Sequence, residues 1–211
     1  MGIAERRVRE KERRRNDIID AAEQVFFSQG LEQATMDDVA EKAELSKGTL
    51  YLYFRSKEDL YLAIHLRGNT ILKRMFEKAV AGYDRGIEKV RAVGQAYMEF
   101  YKKYPDYFHA MVYYESRAFD YEDADSVAVQ CLEMGKATLE LLIGAIEYGK
   151  RDGTIRHDID ARLTAISLWG QSTGIIQIIA MKEFILIHNH QIRADEVVDY
   201  TFDLIYHSLK A

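Results

Sequence analysis

Proline is nearly absent from this sequence, since Pro105 is the only one in 211 residues. Proline lacks the backbone N–H that a helix interior donates, so a chain almost without it can form long uninterrupted helices. No glycine-rich stretch or internal repeat breaks the pattern, and apolar residues recur at helical spacing almost everywhere. The predicted fold class is therefore all-α, and a hydrophobic content of 48% is ample for a core.

The apolar spacing and the helix-start signals together predict nine helices. Their expected spans, to within a few residues, are 10–29, 35–43, 46–54, 57–81, 86–104, 106–119, 124–151, 159–187 and 193–209. The first three are expected to form an N-terminal head, and the other six a helical body. Pro105 lies where one body helix should end and the next begin.

Three helix-start signals lie close together, between residues 35 and 59. Thr35 forms an acidic capping box with Asp38, Ser46 can cap a second helix, and Ser56 opens a long third one with its own capping box. Two of these helices are too short to be stable alone. They must pack against each other and against the first helix, which predicts a compact three-helix head.

Segment 35–54 fits a helix-turn-helix. Leu50 and Phe54, four residues apart, give its second helix an inner face. The outer face carries no acid and consists of Gly48, Tyr51, Leu52 and Arg55, flanked by Lys47 and Thr49. A short helix of this kind fits a DNA major groove about 12 Å wide. The free backbone amides at its start, beside Ser46, suit a phosphate.

Charge is unevenly distributed along the chain. The net charge of −5 argues against a nucleic-acid binder when taken globally, but residues 1–15 hold seven basic and three acidic side chains. Residues 46–57 hold three basic side chains and no acid. The basic N-terminal segment has two interpretations: an arm that reaches the minor groove or phosphates, or a solvated and partly disordered tail.

The run from Thr35 to Leu60, with the preceding Ile18 to Phe26 and Gly30, resembles the signature of the tetracycline-repressor (TetR) family. The similarity covers roughly residues 15–65, and the remainder matches only in helix number and length. The resemblance implies a sequence-specific DNA-binding transcriptional regulator. We expect a ligand-released repressor that binds a near-palindromic operator as a homodimer.

The family's DNA-contacting positions carry over residue by residue. The resemblance implies that Thr35, Tyr53 and Lys57 contact phosphates, and that Lys47 is the best candidate to recognise guanine. The full set of expected DNA-binding residues is Thr35, Ser46, Lys47, Gly48, Thr49, Tyr51, Tyr53 and Lys57.

One position departs from the family pattern. Glu44 stands in the turn where the family commonly has glycine, which permits a positive φ. Glutamate in that conformation would cost about 1 kcal/mol. Either the turn differs or the strain is tolerated, and the pose of the recognition helix depends on which.

Two domains are expected, a DNA-binding domain at 1–56 and a ligand-binding and dimerisation domain at 57–211. The long helix that starts at Ser56 joins them and would transmit a ligand signal. Segment 163–187 is apolar on nearly all sides and so needs covering on two faces. We therefore expect the homodimer to form through the last two helices, where Gly170 and Gly174 permit close approach.

The effector is expected to be a small apolar or aromatic molecule. Aromatic residues and methionines are concentrated in 97–121, although any one of them is more often ordinary core. The candidate pocket residues are Tyr97, Tyr101, Met111, Tyr114, Trp169 and Thr173.

The sequence contains no motif typical of an enzyme. It lacks a P-loop, a dinucleotide fingerprint and a nucleophile elbow, and its six histidines are scattered. We therefore expect no enzymatic activity, cofactor or metal site. Cys131 alone cannot form an internal disulfide, which favours the cytoplasm. Segment 168–181 is expected to be too short and too polar to span a bilayer. Two alternatives stay open: a DNA-architectural protein without a ligand switch, and a helical small-molecule binding protein.

Overall fold

The computed structural model describes residues 2–115 and 127–211, and every regular element within these ranges is an α-helix. The helices are α1 (Ile3–Gln29), α2 (Met36–Lys42), α3 (Lys47–Tyr51), α4 (Lys57–Ala81), α5 (Gly86–Lys103), α6 (Pro105–Glu115), α7 (Val127–Arg151), α8 (Ala161–His190) and α9 (Ala194–Leu209). The predicted all-α class is confirmed. The predicted helix end near residue 119 and the start near residue 124 lie outside the described residues.

The predicted start of α1 near Glu10 is wrong, because the helix begins at Ile3. Residues 4–15 are mostly alanine, glutamate, arginine and lysine, which have high helix propensity. The backbone N–H of Gly2 also donates to the Glu5 carboxylate at 3.1 Å, which satisfies one donor at the helix start. The basic N-terminal segment is therefore helical.

The three predicted capping signals are all formed. The Asp38 amide donates to Thr35 Oγ1 at 3.2 Å, and the Thr35 amide donates to Asp38 Oδ2 at 2.8 Å. The Thr49 amide donates to Ser46 Oγ at 3.1 Å, and the Asp59 amide donates to Ser56 Oγ, also at 3.1 Å. These local bonds fix where α2, α3 and α4 begin.

Two compact units make up the described chain. The first comprises the described residues of 1–68 and 106–132, and the second comprises residues 69–105 and 133–211. The predicted functional boundary at residue 56, between a DNA-binding and a regulatory domain, stays a prediction.

The core of the first unit is built around α1, α2 and α3. Ile18, Val39 and Leu50 are fully buried, one from each helix. Buried residues from α4 and α6 complete the cluster, namely Leu60, Tyr61, Ala63, Ile64 and Ala110. The two short helices thus gain their stability from shared burial, as their length requires.

A polar network also ties α1, α4 and α6 together in the first unit. The Tyr107 hydroxyl donates to Glu23 Oε1 at 2.6 Å, and Arg67 Nη1 lies 3.0 Å from the same oxygen. Arg67 also donates to Asp20 Oδ1 at 2.6 Å. Burial raises the pKa of Glu23, while Tyr107 and Arg67 favour its charged form.

Close helix crossings organise the second unit. A Cβ added at Gly86 would lie 2.1 Å from Gly149 Cα, and one added at Gly94 would lie 2.6 Å from the Phe202 ring. Only glycine permits backbones to approach this closely. The crossings pack α5 against α7 and α9.

Helix α8 is thirty residues long, and its most apolar eighteen-residue window is only 22% buried. By length and composition it could cross a membrane, the only described helix of which this is true. The stretch 168–181, expected to be too short and too polar to span a bilayer, is only the middle part of this longer helix. Its side chains, however, include Gln171, Ser172 and Thr173 near the centre.

Candidate nucleic-acid interface

The turn between α2 and α3 has the backbone conformation that glycine usually provides. Glu44 has φ +55°, which lies in the left-handed region. The Leu45 amide donates to the Ala40 carbonyl at 2.9 Å, and the Glu44 amide to the Glu41 carbonyl at 3.0 Å. The first of these bonds is the one that ends many helices at a left-handed residue. The turn is thus retained, and Glu44 bears a backbone strain of about 1 kcal/mol.

Helix α3 is held in place by side chains that pack into the core of the first unit. Leu50 is fully buried, and Phe54 is buried just beyond the helix. Leu45, in the turn, is half-buried against the same core. With the Ser46 cap at its start, this five-residue helix is fixed at both ends, so its outer face has a defined direction.

The outer face of α3 is exposed and carries no acidic residue. Lys47, Gly48, Tyr51, Leu52 and Arg55 are all exposed, and Leu52 is 80% exposed. A leucine and a tyrosine held in solvent on so short a helix contribute little to folding. Side chains of these two types, when exposed beside a basic residue, are able to contact base edges and thymine methyls.

Lys47 is engaged in an ion pair across the helix-turn-helix. Its Nζ lies 2.7 Å from Asp37 Oδ1, on the first turn of α2. The hydrogen bond and charge of Asp37 raise the pKa of Lys47 above its usual value. Both side chains are exposed, so the ion pair contributes little to stability. Lys47 can therefore leave Asp37 and pair with another anion.

The remaining predicted DNA-binding residues have other partners. Thr35 is exposed and caps α2, while Thr49 Oγ1 lies 2.8 Å from Ser46 Oγ. Tyr53 is half-buried against the core. Lys57 Nζ donates to the carbonyls of Leu31, Glu32 and Ala34 at 2.7, 3.4 and 3.0 Å, so it fastens the connection from α1 to α2.

The structure thus brings Lys47, Gly48, Thr49 and Tyr51 together on α3, with Ser46 as its N-cap, whereas Thr35 caps α2, Tyr53 follows α3 and Lys57 begins α4. Sequence reasoning misses the Asp37 partner of Lys47. A pairing between side chains ten residues apart on different helices has no sequence signal. It also misses Arg15, whose guanidinium lies 4.8 Å from the centroid of the Phe54 ring.

The predicted pocket residues are only partly brought together. Tyr97 is buried in the second unit, with its hydroxyl 3.0 Å from Thr173 Oγ1 and its ring 6.2 Å from Phe76. Trp169 is 39% exposed, Tyr101 is half-buried, and Met111 belongs to the core of the first unit. The side chain of Tyr114 lies outside the described part of the structure.

A cleft of about 370 Å³ lies elsewhere in the second unit, between the start of α8 and the end of α9. Its lining includes Leu163, Leu168 and Leu209 with the polar Asp160 and Gln171. It contains none of the predicted pocket residues.

Comparison with known proteins identifies the family. A family model described as bacterial regulatory proteins of the tetR family matches residues 18–64. The HTH-type transcriptional repressor KstR2 of Rhodococcus jostii (strain RHA1) is 31% identical over 153 residues, which cover 72% of this chain and 73% of that protein. The chain belongs to the TetR family. It is a DNA-binding transcriptional regulator whose relatives are not enzymes, as the sequence resemblance implied.

Two further relatives of this TetR-family chain are informative. The fatty acid metabolism regulator protein of Bacillus subtilis (strain 168) is 28% identical over 155 residues, covering 72% of this chain and 76% of that protein. The solved structure of the regulator FadR from Bacillus subtilis in complex with stearoyl-CoA matches with a TM-score of 0.73 at 19% identity, covering 91% and 97% of the two chains. The structural match supports the all-helical fold with its N-terminal helix-turn-helix.

Proposed function

We propose that this TetR-family regulator is a cytoplasmic, homodimeric repressor that is released from a near-palindromic operator by a small apolar effector. One observation carries the proposal: the exposed, acid-free outer face of a capped and anchored α3. On this account α3 enters the major groove, with Lys47 and Tyr51 directed at bases and phosphates. Thr35, Tyr53 and Lys57 would lie near the sugar-phosphate backbone of the DNA on either side of the groove.

The pairing of Lys47 with Asp37 fits this role. In the free protein, Asp37 pairs with the ammonium group of Lys47 at the start of α3. A phosphate or a guanine edge would replace the carboxylate as partner, and DNA binding would leave Asp37 facing anionic DNA. Lys47 therefore leaves Asp37 for DNA only where the DNA group compensates for the lost ion pair. This requirement favours binding to a specific sequence over nonspecific DNA binding.

Dimerisation is supported by the exposed apolar surface of α8 and α9. Met181 and Phe184 are 75% and 71% exposed, and they belong to a larger set of exposed apolar residues. The set is Leu163, Ile166, Trp169, Ile178, Met181, Phe184, Ile185 and Ile187 on α8, with Tyr200 and Leu204 on α9. Exposed apolar side chains in this number on two helices are typical of a surface that binds another protein. A second copy of the chain supplies the same face, which gives the two-fold symmetry of a near-palindromic site.

Space along α8 supports the same arrangement. A Cβ added at Gly170 or Gly174 would meet no described atom within 4 Å, so these two glycines are not needed for packing inside the described chain. Four residues apart, they leave a shallow track along which another helix can approach closely.

The proposed effector is a small molecule with a long apolar part, such as a long-chain acyl-CoA. The buried Tyr97, its hydroxyl partner Thr173 and the adjacent Phe76 provide apolar surface with a polar group between α4, α5 and α8. A relative of the same fold holds stearoyl-CoA. Binding would release the operator only if the effector prefers a state of low DNA affinity.

The first test is selection of bound duplexes from a random library by the full chain at a stated salt concentration. The expected result is one enriched, near-palindromic sequence whose half-sites are separated by about 10 bp or a multiple of it. Failure to enrich any sequence, with protein shown to be folded and dimeric, would contradict specific operator binding.

The second test addresses the ligand switch. Affinity for the selected duplex is measured with stearoyl-CoA and, as matched control, with coenzyme A that carries no acyl chain. The expected result is at least about tenfold weaker DNA binding with the acylated form only. Loss of binding with both would indicate competition by the anionic nucleotide. Unchanged binding with a panel of apolar ligands would favour the DNA-architectural alternative.

A further inference from the structure

The N-terminal part of α1 is a basic helix that extends past the core of the first unit. Residues 4–14 are exposed at every position, and the first buried residue of α1 is Ile18. The segment holds six basic side chains ahead of Arg15. Helical geometry fixes which of these charges share a face, which a disordered tail would not do.

The six charges divide into two stripes. Arg7, Lys11 and Arg14 are spaced i, i+4, i+7, and the same spacing continues into the buried positions Ile18, Ala22 and Val25. We name these three basic residues the core-side stripe. The core-side stripe lies on the same face of α1 as these buried residues. Because the segment extends beyond the core, the stripe itself is exposed to solvent.

The other three basic residues form the solvent-side stripe, Arg6, Arg9 and Arg13. Their spacing continues into Asn16, Asp20 and Gln24, which are all exposed. This stripe therefore points away from the head. The two stripes carry the same charge on the same helix and differ only in direction.

Arg15 fixes where the basic helix leaves the head. Its guanidinium lies over the Phe54 ring, 4.8 Å from the centroid. Phe54 lies three residues after Tyr51, the last residue of α3, and directly before the exposed Arg55. The basic part of α1 therefore meets the three-helix head beside Phe54, just past the C-terminal end of the surface proposed to bind the operator.

We propose that the core-side stripe binds the phosphates of DNA flanking each half-site, as an extension of the operator surface. This inference rests on the proposed function. Charge complementarity selects DNA as the occupant, since arginine and lysine side chains on an exposed helix match the regular phosphate spacing of a duplex. The binding is independent of sequence, and it extends the bound region without adding base recognition.

The length of the basic helical segment determines how many additional base pairs the bound protein would cover. Twelve helical residues, 3–14, extend about 18 Å at 1.5 Å per residue. That distance corresponds to about five base pairs at 3.4 Å each. A duplex cut to the recognised half-sites would therefore lack the flanking phosphates, and one with ten extra base pairs at each end would contain them all.

The test compares two triple variants of the full chain that lose equal charge. R7Q/K11Q/R14Q removes the core-side stripe, and R6Q/R9Q/R13Q removes the solvent-side stripe; glutamine retains helix propensity. Affinity for the selected duplex, in its short and extended forms, is measured between 50 and 200 mM salt. Circular dichroism checks that both variants keep the wild-type helix content.

The wild type should bind the extended duplex at least about tenfold more tightly than the short one. The core-side variant should lose that advantage. Its slope of log Kd against log salt should fall by about 0.9 for each phosphate that is no longer neutralised, up to about 2.7 per subunit. The solvent-side variant should keep both the advantage and most of the slope.

Equal losses of affinity and salt slope in the two variants would overturn the inference. The total charge of the segment, and not the face on which it lies, would then determine DNA binding. A wild type that does not distinguish the duplex lengths would overturn the inference as well. Either result would leave operator binding by α3 intact. Failure of the wild type to bind any selected duplex would instead overturn the proposed function, and the inference with it.

Discussion

Helices α3 and α8 both expose apolar side chains, but in opposite ways. At the end of the five-residue α3, the exposed Tyr51 and the C-cap residue Leu52 have polar and basic neighbours in sequence, while the opposite face of the helix is buried through Leu50. On α8, thirty residues long, exposed Met181 and Phe184 belong to a larger set of exposed apolar residues on α8 and α9. The first pattern suits a hydrated, charged groove, and the second suits a dry interface with another protein surface.

The difference teaches that exposure alone does not identify a binding partner. The neighbours of an exposed side chain, and the length of the surface around it, indicate which kind of partner fits.

The largest effect is expected from charges placed on the α8 surface. Met181→Glu with Phe184→Glu should weaken self-association by about 4 kcal/mol or more, roughly a thousandfold, because two carboxylates would be buried without partners. Sedimentation equilibrium measures the dimer dissociation constant. Tyr83→Glu, at another exposed aromatic position, should leave it unchanged. An intact dimer in the double variant would place the interface elsewhere.

The two leucines of the α3 region should separate stability from binding. Leu50→Ala removes a fully buried side chain and should destabilise the fold by about 3 kcal/mol. Leu52→Ala should change stability by no more than about 0.5 kcal/mol, yet weaken operator binding. Chemical denaturation and DNA titration measure the two quantities. Equal destabilisation by both variants would show that the exposed face has a structural role.

The buried core of the first unit should also respond to pH. Burial lowers the pKa of His65 to about 4, from its usual 6.5. The unfolded chain therefore binds a proton that the folded chain does not, and stability is lost as pH falls from about 6.5 towards 4. Between pH 7 and pH 5 the loss should be about 2 kcal/mol. His65→Leu should flatten this dependence when chemical denaturation is followed across that pH range.

The smallest effect is expected at the turn. Glu44→Gly should stabilise the protein by up to about 1 kcal/mol, because glycine adopts a positive φ without strain. For a chain of this length, the melting temperature would rise by about 2–4 °C. A lower melting temperature would mean that the glutamate side chain makes a compensating contribution.

Local signals allow most of the fold to be predicted. The caps at Thr35, Ser46 and Ser56 each join residues three apart, so sequence spacing specifies them directly. The start of α1 is predicted too late because the charged residues before Glu10 indicate a basic arm by their charge, while their helix propensity decides the structure.

The site is less predictable wherever it depends on tertiary structure. The φ of Glu44 is set by the packing of α2 on α3, and the Lys47–Asp37 pair joins residues on different helices. Resemblance assigns Lys57 to phosphates, whereas its bonds to the carbonyls after α1 depend on how α4 folds back. Pocket residues are the least predictable, because an aromatic residue has the same periodicity in a core and in a cavity.

The central claim is that the outer face of α3 binds the operator. Its most direct test is the affinity of Lys47→Ala/Tyr51→Ala for the selected duplex, measured beside the wild type and the exposed control Lys78→Ala/Tyr83→Ala. The account predicts at least about a hundredfold weaker binding for the first variant alone, with its dimer and melting temperature unchanged. Wild-type affinity in that variant would contradict the assignment of α3 as the recognition surface.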